Sequence, residues 1–346
     1  FFFKQKTAYE IPKRDWSSDV CSSDLSCFTE HIGNGLQELK FDVLQNPHGI
    51  LFGVDAICQS LEDTISNRKY TEQDLFELNG VWNSWDHHSF FSNTNVSIAL
   101  EQINSSIEKA HVFLKNANYL VLTLGSSFCY RLTAQAQLAG KHTNESVANC
   151  HRAPASWFKK ELLPIPVMVD RLTSCLNAVH ELNPTLQIII TVSPVRHIRD
   201  GVQENNRSKA RLFETIQQLE EKGIPLHYFP AYELVIDVLR DYRFYDIDLV
   251  HPNFAATDYV IEQFLNTWVE KEALDLAGQI KKLRTAFRHR PQHVDSPSHQ
   301  SFLKQQYKRL LELKSTYPFL DFTEELEHFS DRKSTRLNSS HVSESR

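Results

Sequence analysis

The 346-residue sequence has no apolar run that approaches the roughly 20 residues required by a membrane-spanning helix. It also has no excess of positive charge, since 37 Lys and Arg residues face 43 Asp and Glu residues and the formal net charge is -6. Nucleic acids and anionic membrane surfaces usually bind a basic protein face. The composition therefore argues against nucleic acid and against a membrane as partners.

Cysteine is sparse and scattered. The six cysteines stand singly at positions 21, 27, 58, 129, 150 and 175, so the chain has no C-x-x-C pair typical of zinc and redox sites. Their density is also below that of a disulfide scaffold. We expect no metal, no cofactor and a reducing compartment, the cytoplasm.

Both ends of the chain resemble translated sequencing-adapter sequence, and we exclude residues 1–25 and 332–346 from the fold prediction. The protein proper then begins near Ser26, so that most of a first strand and any signal peptide would be missing. The sequence as a whole is 41% hydrophobic and 23% charged, a composition that can bury a core. We expect an α/β domain over residues 26–271 and a helical extension over residues 272–331.

Buried strands alternate with amphipathic helices through the middle of the sequence. Strands are predicted at 119–124, 185–193 and 226–229, and helices at 96–116, 167–182, 205–222, 232–240 and 254–270. This alternation favours a mostly parallel sheet with helices on both faces. Charged amphipathic helices at 273–288 and 300–314 form the predicted C-terminal extension.

Polar residues follow the predicted strands, at the place where doubly wound folds position their ligand-binding loops. Residues 125–127 follow the first strand, and Arg196 and His197 follow the second. Arg196 could bind a carboxylate, phosphate or sulfate through two parallel hydrogen bonds. Alternatively, it pairs with Asp200 and orders its own loop.

Aromatic and imidazole side chains crowd together between Trp82 and Ser89. The neighbouring His87 and His88 have no carboxylate or third histidine at a helical spacing, so the pattern is weak for a metal site. We interpret this segment as a structural loop or a pocket rim.

A spacing typical of catalysis occurs later in the chain. Asp248 stands three residues before His251, which is followed by Pro252 and a predicted helix. In acyl-transfer enzymes a histidine takes the proton of a Ser or Cys nucleophile, and a carboxylate orients the imidazole. The spacing is also common in capping loops, so the hypothesis requires a nucleophile and oxyanion donors elsewhere in the chain.

Further motifs are spread over residues 26 to 265. They are Ser26-Cys27-Phe28, Asn46-Pro47-x-Gly49, Leu124-Gly125-Ser126, Ala148-Asn149-Cys150-His151, Ser193-Pro194-Val195-Arg196-His197, Tyr228-Phe229-Pro230-Ala231-Tyr232-Glu233, Leu239-Arg240-Asp241-Tyr242-Arg243-Phe244-Tyr245 and Asp248-x-x-His251-Pro252. As a set these motifs resemble the GSCFA-domain family, which is grouped with the SGNH/GDSL hydrolases. The resemblance implies a three-layer α/β/α fold in which the nucleophile follows the first strand and the Asp and His come last, from one loop.

The resemblance also implies a nucleophile. In the register of the SGNH Gly-Asp-Ser motif, Cys27 occupies the nucleophile position and Ser26 the Asp position. We favour Cys27 and keep Ser26 as the alternative, because a thiolate is the better nucleophile and a following helix N-terminus would lower its pKa. A small buried cysteine without a catalytic role is the other interpretation of Cys27.

The resemblance also implies three oxyanion donors, each from a separate sequence block of SGNH enzymes. They are the backbone N–H of the nucleophile, a glycine in the second block, and the Asn of a Gly-x-Asn motif in the third block. Gly49 is the candidate for the second block. The third block reads Gly125-Ser126-Ser127, so Ser127 stands where Asn is expected. Asn149 could replace it, with His151 beside it, or these two residues could simply brace their loop.

The sequence thus predicts an SGNH-like esterase that cleaves an O-acyl ester of a small molecule or a carbohydrate. Cys27 or Ser26 would attack the acyl carbon, His251 would carry the proton, and Asp248 would orient His251. An acyltransferase with the same covalent intermediate and a non-catalytic binding module are the alternatives. Oligomeric state does not follow from the sequence.

Overall fold

The computed structural model describes residues 2–3, 22–23, 26–136, 140–197, 201–294 and 296–330, with side chains between residues 30 and 329 of these ranges. Asp200, the predicted partner of Arg196, lies outside the described residues. The side chains of Ser26 and Cys27 also lie outside them, whereas the backbone of both residues is described.

The chain is a mixed α/β protein. Its described strands are β1 (Phe2–Phe3), β2 (Ser22–Ser23), β3 (Val43–Leu44), β4 (Leu75–Leu78), β5 (Val81–Ser84), β6 (Tyr119–Leu124), β7 (Phe128–Leu132), β8 (Ser146–Val147), β9 (Phe158–Leu162), β10 (Gln187–Val192) and β11 (His227–Tyr228). Its described helices are α1 (Ser26–Glu38), α2 (Val54–Ser66), α3 (Val96–Leu114), α4 (Ile165–Leu182), α5 (Val202–Glu221), α6 (Ala231–Glu233, continued by a wider helical turn over Leu234–Leu239), α7 (Phe254–Trp268), α8 (Lys271–Arg288), α9 (Pro297–Thr316) and α10 (Thr323–Ser330).

The main sheet has the strand order β11-β10-β6-β1-β3, and β2 also pairs with β6. Strands β2, β6, β10 and β11 run parallel, as the alternating pattern predicts, whereas β1 is antiparallel to β3 and β6. In this register Ile190 of β10 lies opposite Leu122 on one side and Tyr228 on the other. The carboxyl ends of β6 and β10 therefore open at the same edge of the sheet.

Helices α2, α3, α4 and α5 pack with β6 and β10 in one hydrophobic core. Its buried side chains include Leu61, Leu114, Leu172, Leu212 and Ile188, one from each of five elements. The near-continuous apolar runs of the two strands follow from this burial, because parallel strands lie inside the domain. This core belongs to the larger compact unit, which contains Asp42–Trp268 and most of α1.

Several helices and strands of this unit have bounds close to those predicted from the sequence, because their residues show a clear amphipathic or apolar pattern. Strand β6 has the predicted bounds, and α3 begins at Val96 behind its predicted cap. The cap is Asn95, whose side chain accepts hydrogen bonds from the N–H groups of Ser97 and Ile98. The predicted helices at 167–182, 205–222 and 254–270 correspond to α4, α5 and α7, with ends that differ by at most three residues.

Other elements were not predicted. Helices α1 and α2 went unassigned, and so did the small antiparallel sheet β8-β7-β9. The loop predicted from Trp82 onward is wrong for its first residues, because Val81–Ser84 forms a hairpin with Leu75–Leu78. Asn79 and Gly80 connect these strands with φ of 54° and 76°, the geometry of a tight hairpin turn.

Strand β2 bears on the exclusion of residues 1–25. Ser22 and Ser23 pair in parallel with Val121 and Leu122 of β6, and α1 begins three residues later. Strands β1 and β2 lie within residues 1–25, and both pair with strands of the main sheet. Because β2 and β6 run in the same direction, α1 begins at the carboxyl edge of the sheet.

A second compact unit contains Gln37–Phe41 and the described residues between Val269 and Ser330. Helices α8, α9 and α10 surround their own core, and α8 and α9 correspond to the two helices predicted there. Inside this unit the buried Glu325 forms ion pairs with Lys40 at 2.9 Å and with Arg284 at 3.3 Å. These two cations compensate a carboxylate that is only 1% exposed.

In the part of the chain that the structure describes, every helix is too short or too polar to cross a bilayer. The described cysteines Cys58, Cys129, Cys150 and Cys175 are free thiols.

Candidate functional site

Asp248 and His251 form a hydrogen-bonded pair. Oδ2 of Asp248 lies 2.6 Å from Nδ1 of His251, which donates its hydrogen to the carboxylate. Oδ1 of Asp248 accepts the backbone N–H groups of Val250 at 2.9 Å and of His251 at 3.1 Å. With Nδ1 occupied as a donor, Nε2 is the proton acceptor, and none of the described residues bonds to it.

The loop that carries this pair is held at both ends. The N–H of Asp246 donates to the carbonyl of His251 at 2.8 Å, and Tyr245 forms an antiparallel bridge with Pro252. Asn253 then caps α7, since its Oδ1 accepts the N–H of Ala256 at 3.2 Å. The imidazole thus lies at the start of a helix whose direction is fixed.

The electrostatics favour an ionised carboxylate. Hydrogen bonds from the imidazole of His251, and then from the backbone N–H groups of His251 and Val250, lower the pKa of Asp248 to about 2. The side chains of Asp248 and His251 are 47% and 34% exposed, so a substrate can reach the pair from solvent. Near neutral pH the carboxylate is therefore available to stabilise an imidazolium.

Arg196 connects this loop to the sheet edge. Its guanidinium carbon lies 5.0 Å from the ring centroid of Tyr245, three residues before Asp248. Arg196 follows β10, so the loop from Tyr245 to Pro252 lies at the carboxyl end of that strand. His197 is held nearby, because its backbone N–H donates to Oδ1 of Asn205 at 2.9 Å and its ring meets Phe52 edge-on at 5.8 Å.

Ser26 and Cys27 form the first turn of α1 at the same edge. Helix α1 packs closely on α7, because a Cβ atom added to Gly35 would lie 2.8 Å from Cδ1 of Ile261. At about 1.5 Å per residue, Gly35 is about 12 Å along α1 from Cys27, and Ile261 is about 10 Å along α7 from its start. Both helices begin at the carboxyl edge of the sheet, and their contact lies at a similar distance from each start.

The segment Gly125-Ser126-Ser127 lies at the carboxyl end of β6, as predicted, but its polar groups are occupied. Ser127 donates its N–H to Oγ of Ser208 at 2.8 Å and its hydroxyl to the carbonyl of Ser208 at 3.1 Å. The N–H of Ser126 donates to the carbonyl of Phe52 at 3.0 Å. Neither serine retains a free backbone donor for an oxyanion.

Lys209 holds the carboxyl ends of β6 and β10 together, and the sequence did not predict this role. Its ammonium donates to the carbonyls of Gly125 and Ser193, each at 2.7 Å, at the ends of β6 and β10. Burial lowers the pKa of Lys209 to about 7. A lysine among the polar residues of an amphipathic helix gives no sequence signal for such a role.

Gly49 adopts a φ of 77°, which favours glycine, and its N–H donates to the carbonyl of Asn46 at 2.8 Å. A Cβ atom at Gly49 would lie 2.4 Å from Cβ of His88, so the glycine allows His88 to approach. The structure thus places the predicted second block against His88, which lies in the segment interpreted from sequence as a structural loop or a pocket rim.

Asn149 and His151 lie on the loop after β8. Oδ1 of Asn149 accepts the N–H of His151 at 2.8 Å, which leaves its amide Nδ2 without a partner among the described residues. His151 bonds through Nε2 to the carbonyl of Ser84 at 2.7 Å. Burial lowers the pKa of His151 to about 4, so it braces the loop as a neutral ring.

A buried polar network underlies these loops and was not predicted. The hydroxyl of Tyr70 lies 2.6 Å from Oδ2 of Asp63 and 3.1 Å from Oδ2 of Asp86. His48 and His87 stack with ring centroids 4.4 Å apart, and both are almost fully buried. Across the described ranges, no group of three or more His, Cys, Asp or Glu side chains has the arrangement of a metal site.

Comparison with known proteins adds two family matches. Residues 25–264 match the GSCFA family, and residues 280–334 match the C-terminal domain of GSCFA domain proteins. No curated protein and no solved structure matches the chain. Because the first match spans well over half of the sequence and contains both the Ser26-Cys27 turn and the Asp248–His251 pair, the chain belongs to the GSCFA family.

Proposed function

We propose that the protein is an SGNH-like hydrolase that cleaves an O-acyl ester of a small molecule or carbohydrate within a three-layer α/β/α domain. The observation that carries the proposal is the 2.6 Å bond from His251 to Asp248, in the loop that opens α7 at the sheet edge where α1 also begins. A tautomer fixed in this way presents Nε2 as a base. The exposed pair is suited to a substrate that arrives from solvent.

In the proposed reaction the thiol of Cys27, or the hydroxyl of Ser26, attacks the acyl carbonyl carbon while Nε2 of His251 takes its proton. The tetrahedral oxyanion collapses, the ester C–O bond breaks, and His251 returns the proton to the leaving alcohol oxygen. Water then attacks the acyl-enzyme with His251 again as the base, which releases the acid and restores the nucleophile. Asp248 stabilises the imidazolium in both halves.

The oxyanion requires fixed donors. The first N–H groups of α1 have no partners within the helix and carry the positive end of its dipole, so they are suited to this charge. The amide Nδ2 of Asn149 is the side-chain candidate, since its own Oδ1 is already fixed by His151. Arg196 would bind a polar or anionic part of the substrate at the rim.

The test uses Cys27→Ala and Ser26→Ala separately, with Ser66→Ala as a matched control in the exposed last turn of α2. Each variant is assayed on a panel of acyl esters, with acetyl-CoA as a further donor. We expect the nucleophile variant to lose turnover by at least about 10³-fold and the control to keep it. Full turnover by both variants with the fold retained would overturn the proposal.

The same assay separates the related reactions. Added alcohol acceptors that convert the released acid into a new ester would identify an acyltransferase, which shares the covalent intermediate. No turnover, together with no labelling of Cys27 by an acyl-ester probe, would favour a non-catalytic binding module.

A further inference from the structure

The proposed oxyanion site has fewer donors than its sequence motifs suggest. The N–H of Gly49 is bonded to Asn46, and both polar groups of Ser127 are bonded to Ser208. His151 uses Nε2 on the carbonyl of Ser84. Apart from the first N–H groups of α1 and Nδ2 of Asn149, an acyl-transfer site with a serine in place of the third-block Asn gains from a further donor in another part of the chain.

His88 has such a donor. Its Nδ1 accepts the backbone N–H of Phe90 at 3.2 Å, so the neutral ring carries its hydrogen on Nε2. Within the described ranges, no side chain or backbone group bonds to that Nε2. The side chain is partly buried, and the bond at Nδ1 sets the direction of the Nε2–H.

The position of His88 is set from two sides. Its backbone N–H donates to the carbonyl of His48 at 2.8 Å, and the missing side chain of Gly49 makes room for its Cβ. Glu30, in the second turn of α1, is close enough to act on its charge and also accepts a hydrogen bond from Asn46. The imidazole therefore lies beside the start of α1, where the proposed nucleophile stands.

We propose that His88 donates its Nε2–H to the substrate's carbonyl oxygen as the oxyanion forms, in addition to the first N–H groups of α1 and Nδ2 of Asn149. This inference rests on the proposed ester hydrolysis. His88 acts as a neutral donor and transfers no proton, so the proton balance through His251 is unchanged. The charge that develops on the oxygen strengthens this hydrogen bond in the transition state more than in the bound substrate.

The surroundings keep His88 neutral. Burial lowers its pKa, and the carboxylate of Glu30 opposes that shift without reversing it. The nearby His151 is itself held neutral by burial, so it does not add a competing charge near pH 7. A neutral imidazole in this role retains its Nδ1 acceptor and hence its orientation.

The experiment compares His88→Leu and His88→Gln with His180→Leu, a control in the last turn of α4 at the opposite edge of the sheet. We expect His88→Leu to lower kcat by about 10²- to 10³-fold with KM nearly unchanged, as for other lost oxyanion donors. Gln retains an N–H donor, so His88→Gln should recover at least about 10-fold of that loss. The control should match the wild type.

A second measurement tests the proposal if the His88→Leu variant does not fold. An acyl trifluoromethyl ketone mimics the tetrahedral oxyanion, and its inhibition constant should rise in His88→Gln by the same factor by which kcat/KM falls. Unchanged kcat in folded His88 variants, alongside an inactive Asp248→Asn, would overturn the role of His88 alone. Absence of wild-type turnover on every ester would instead overturn the proposed function and this role with it.

Discussion

Asp248 binds His251 twice, through Oδ2 to the imidazole at 2.6 Å and through Oδ1 to the backbone N–H at 3.1 Å. The second bond fixes the carboxylate relative to the main chain, so the first can fix the plane and the tautomer of the ring. A single carboxylate thus defines which nitrogen of His251 is available as the base in the proposed reaction.

Asp248→Asn should therefore abolish most of the activity without unfolding the protein. The amide cannot balance an imidazolium, and its NH2 group favours the wrong tautomer of His251; the expected fall in kcat is about 10²- to 10⁴-fold. Because the Asp248 side chain is 47% exposed, the urea midpoint should change little. Steady-state kinetics and urea unfolding check both statements, and an Asp248→Asn variant with full activity would contradict the assignment.

The Asp248–His251 pair was predictable because it is local. Three residues separate its members, and the following Pro252 and amphipathic helix mark the loop. Strands β6 and β10 were predictable for a similar reason, since each is a short, nearly continuous apolar run that records burial in its own residues. Helix α1 lacks this signal, because glycines interrupt it and its partner Ile261 lies over 200 positions away.

Whether a hydrogen-bond donor near the candidate site is free or already bonded, by contrast, depends on contacts between segments that are distant in sequence. Ser127 and Ser208 are 81 positions apart, and nothing in either local sequence shows that Ser208 takes both polar groups of Ser127. The same holds for Lys209, which reaches carbonyls 84 and 16 positions away. Sequence motifs therefore pointed to the loops of the candidate site but did not show which of their N–H groups remain free.

Lys209 leads to a pH prediction for stability. Its pKa falls from 10.5 to about 7 on folding. Between these values the unfolded chain binds more protons than the folded one, so this lysine makes stability rise with pH. From about pH 6 to about pH 9 the rise should be at most about 3 kcal/mol, since the two carbonyl acceptors favour the ammonium.

Lys209→Met removes the titrating group and should flatten this part of the profile, although it also leaves two buried carbonyls without a donor. The measurement is the free energy of unfolding in urea at both pH values for the wild type and the variant. The difference between the two pH dependences isolates Lys209 from the other titrating groups. An equally steep rise in Lys209→Met would contradict the assigned pKa shift.

The buried network below the site gives a second stability prediction. Tyr70→Phe removes the hydroxyl 2.6 Å from Oδ2 of Asp63, a carboxylate that is almost fully buried. Loss of a hydrogen bond to a buried charged group should cost about 2–3 kcal/mol. The matched control is Tyr242→Phe, because Tyr242 is 66% exposed and should change the unfolding free energy by less than about 0.5 kcal/mol. If Tyr70→Phe changes the unfolding free energy as little as Tyr242→Phe does, the Tyr70 hydroxyl does not stabilise the fold.

Leu249, between Asp248 and His251, adopts a φ of 58°, a conformation that leucine rarely takes. This left-handed turn lets the N–H of Leu249 donate to the carbonyl of Asp246 and turns Asp248 toward the imidazole.

Leu249→Ile places a β-branched side chain at this position. It should destabilise the loop by more than about 1 kcal/mol and lower kcat. Leu249→Asn tolerates the conformation and should retain both stability and activity. Ile247→Asn, at a fully exposed neighbour outside the left-handed region, is the control for adding a polar group. Thermal unfolding and turnover of the three variants test this order, and a Leu249→Ile variant as stable and active as Leu249→Asn would show that the left-handed turn does not hold the Asp248–His251 pair.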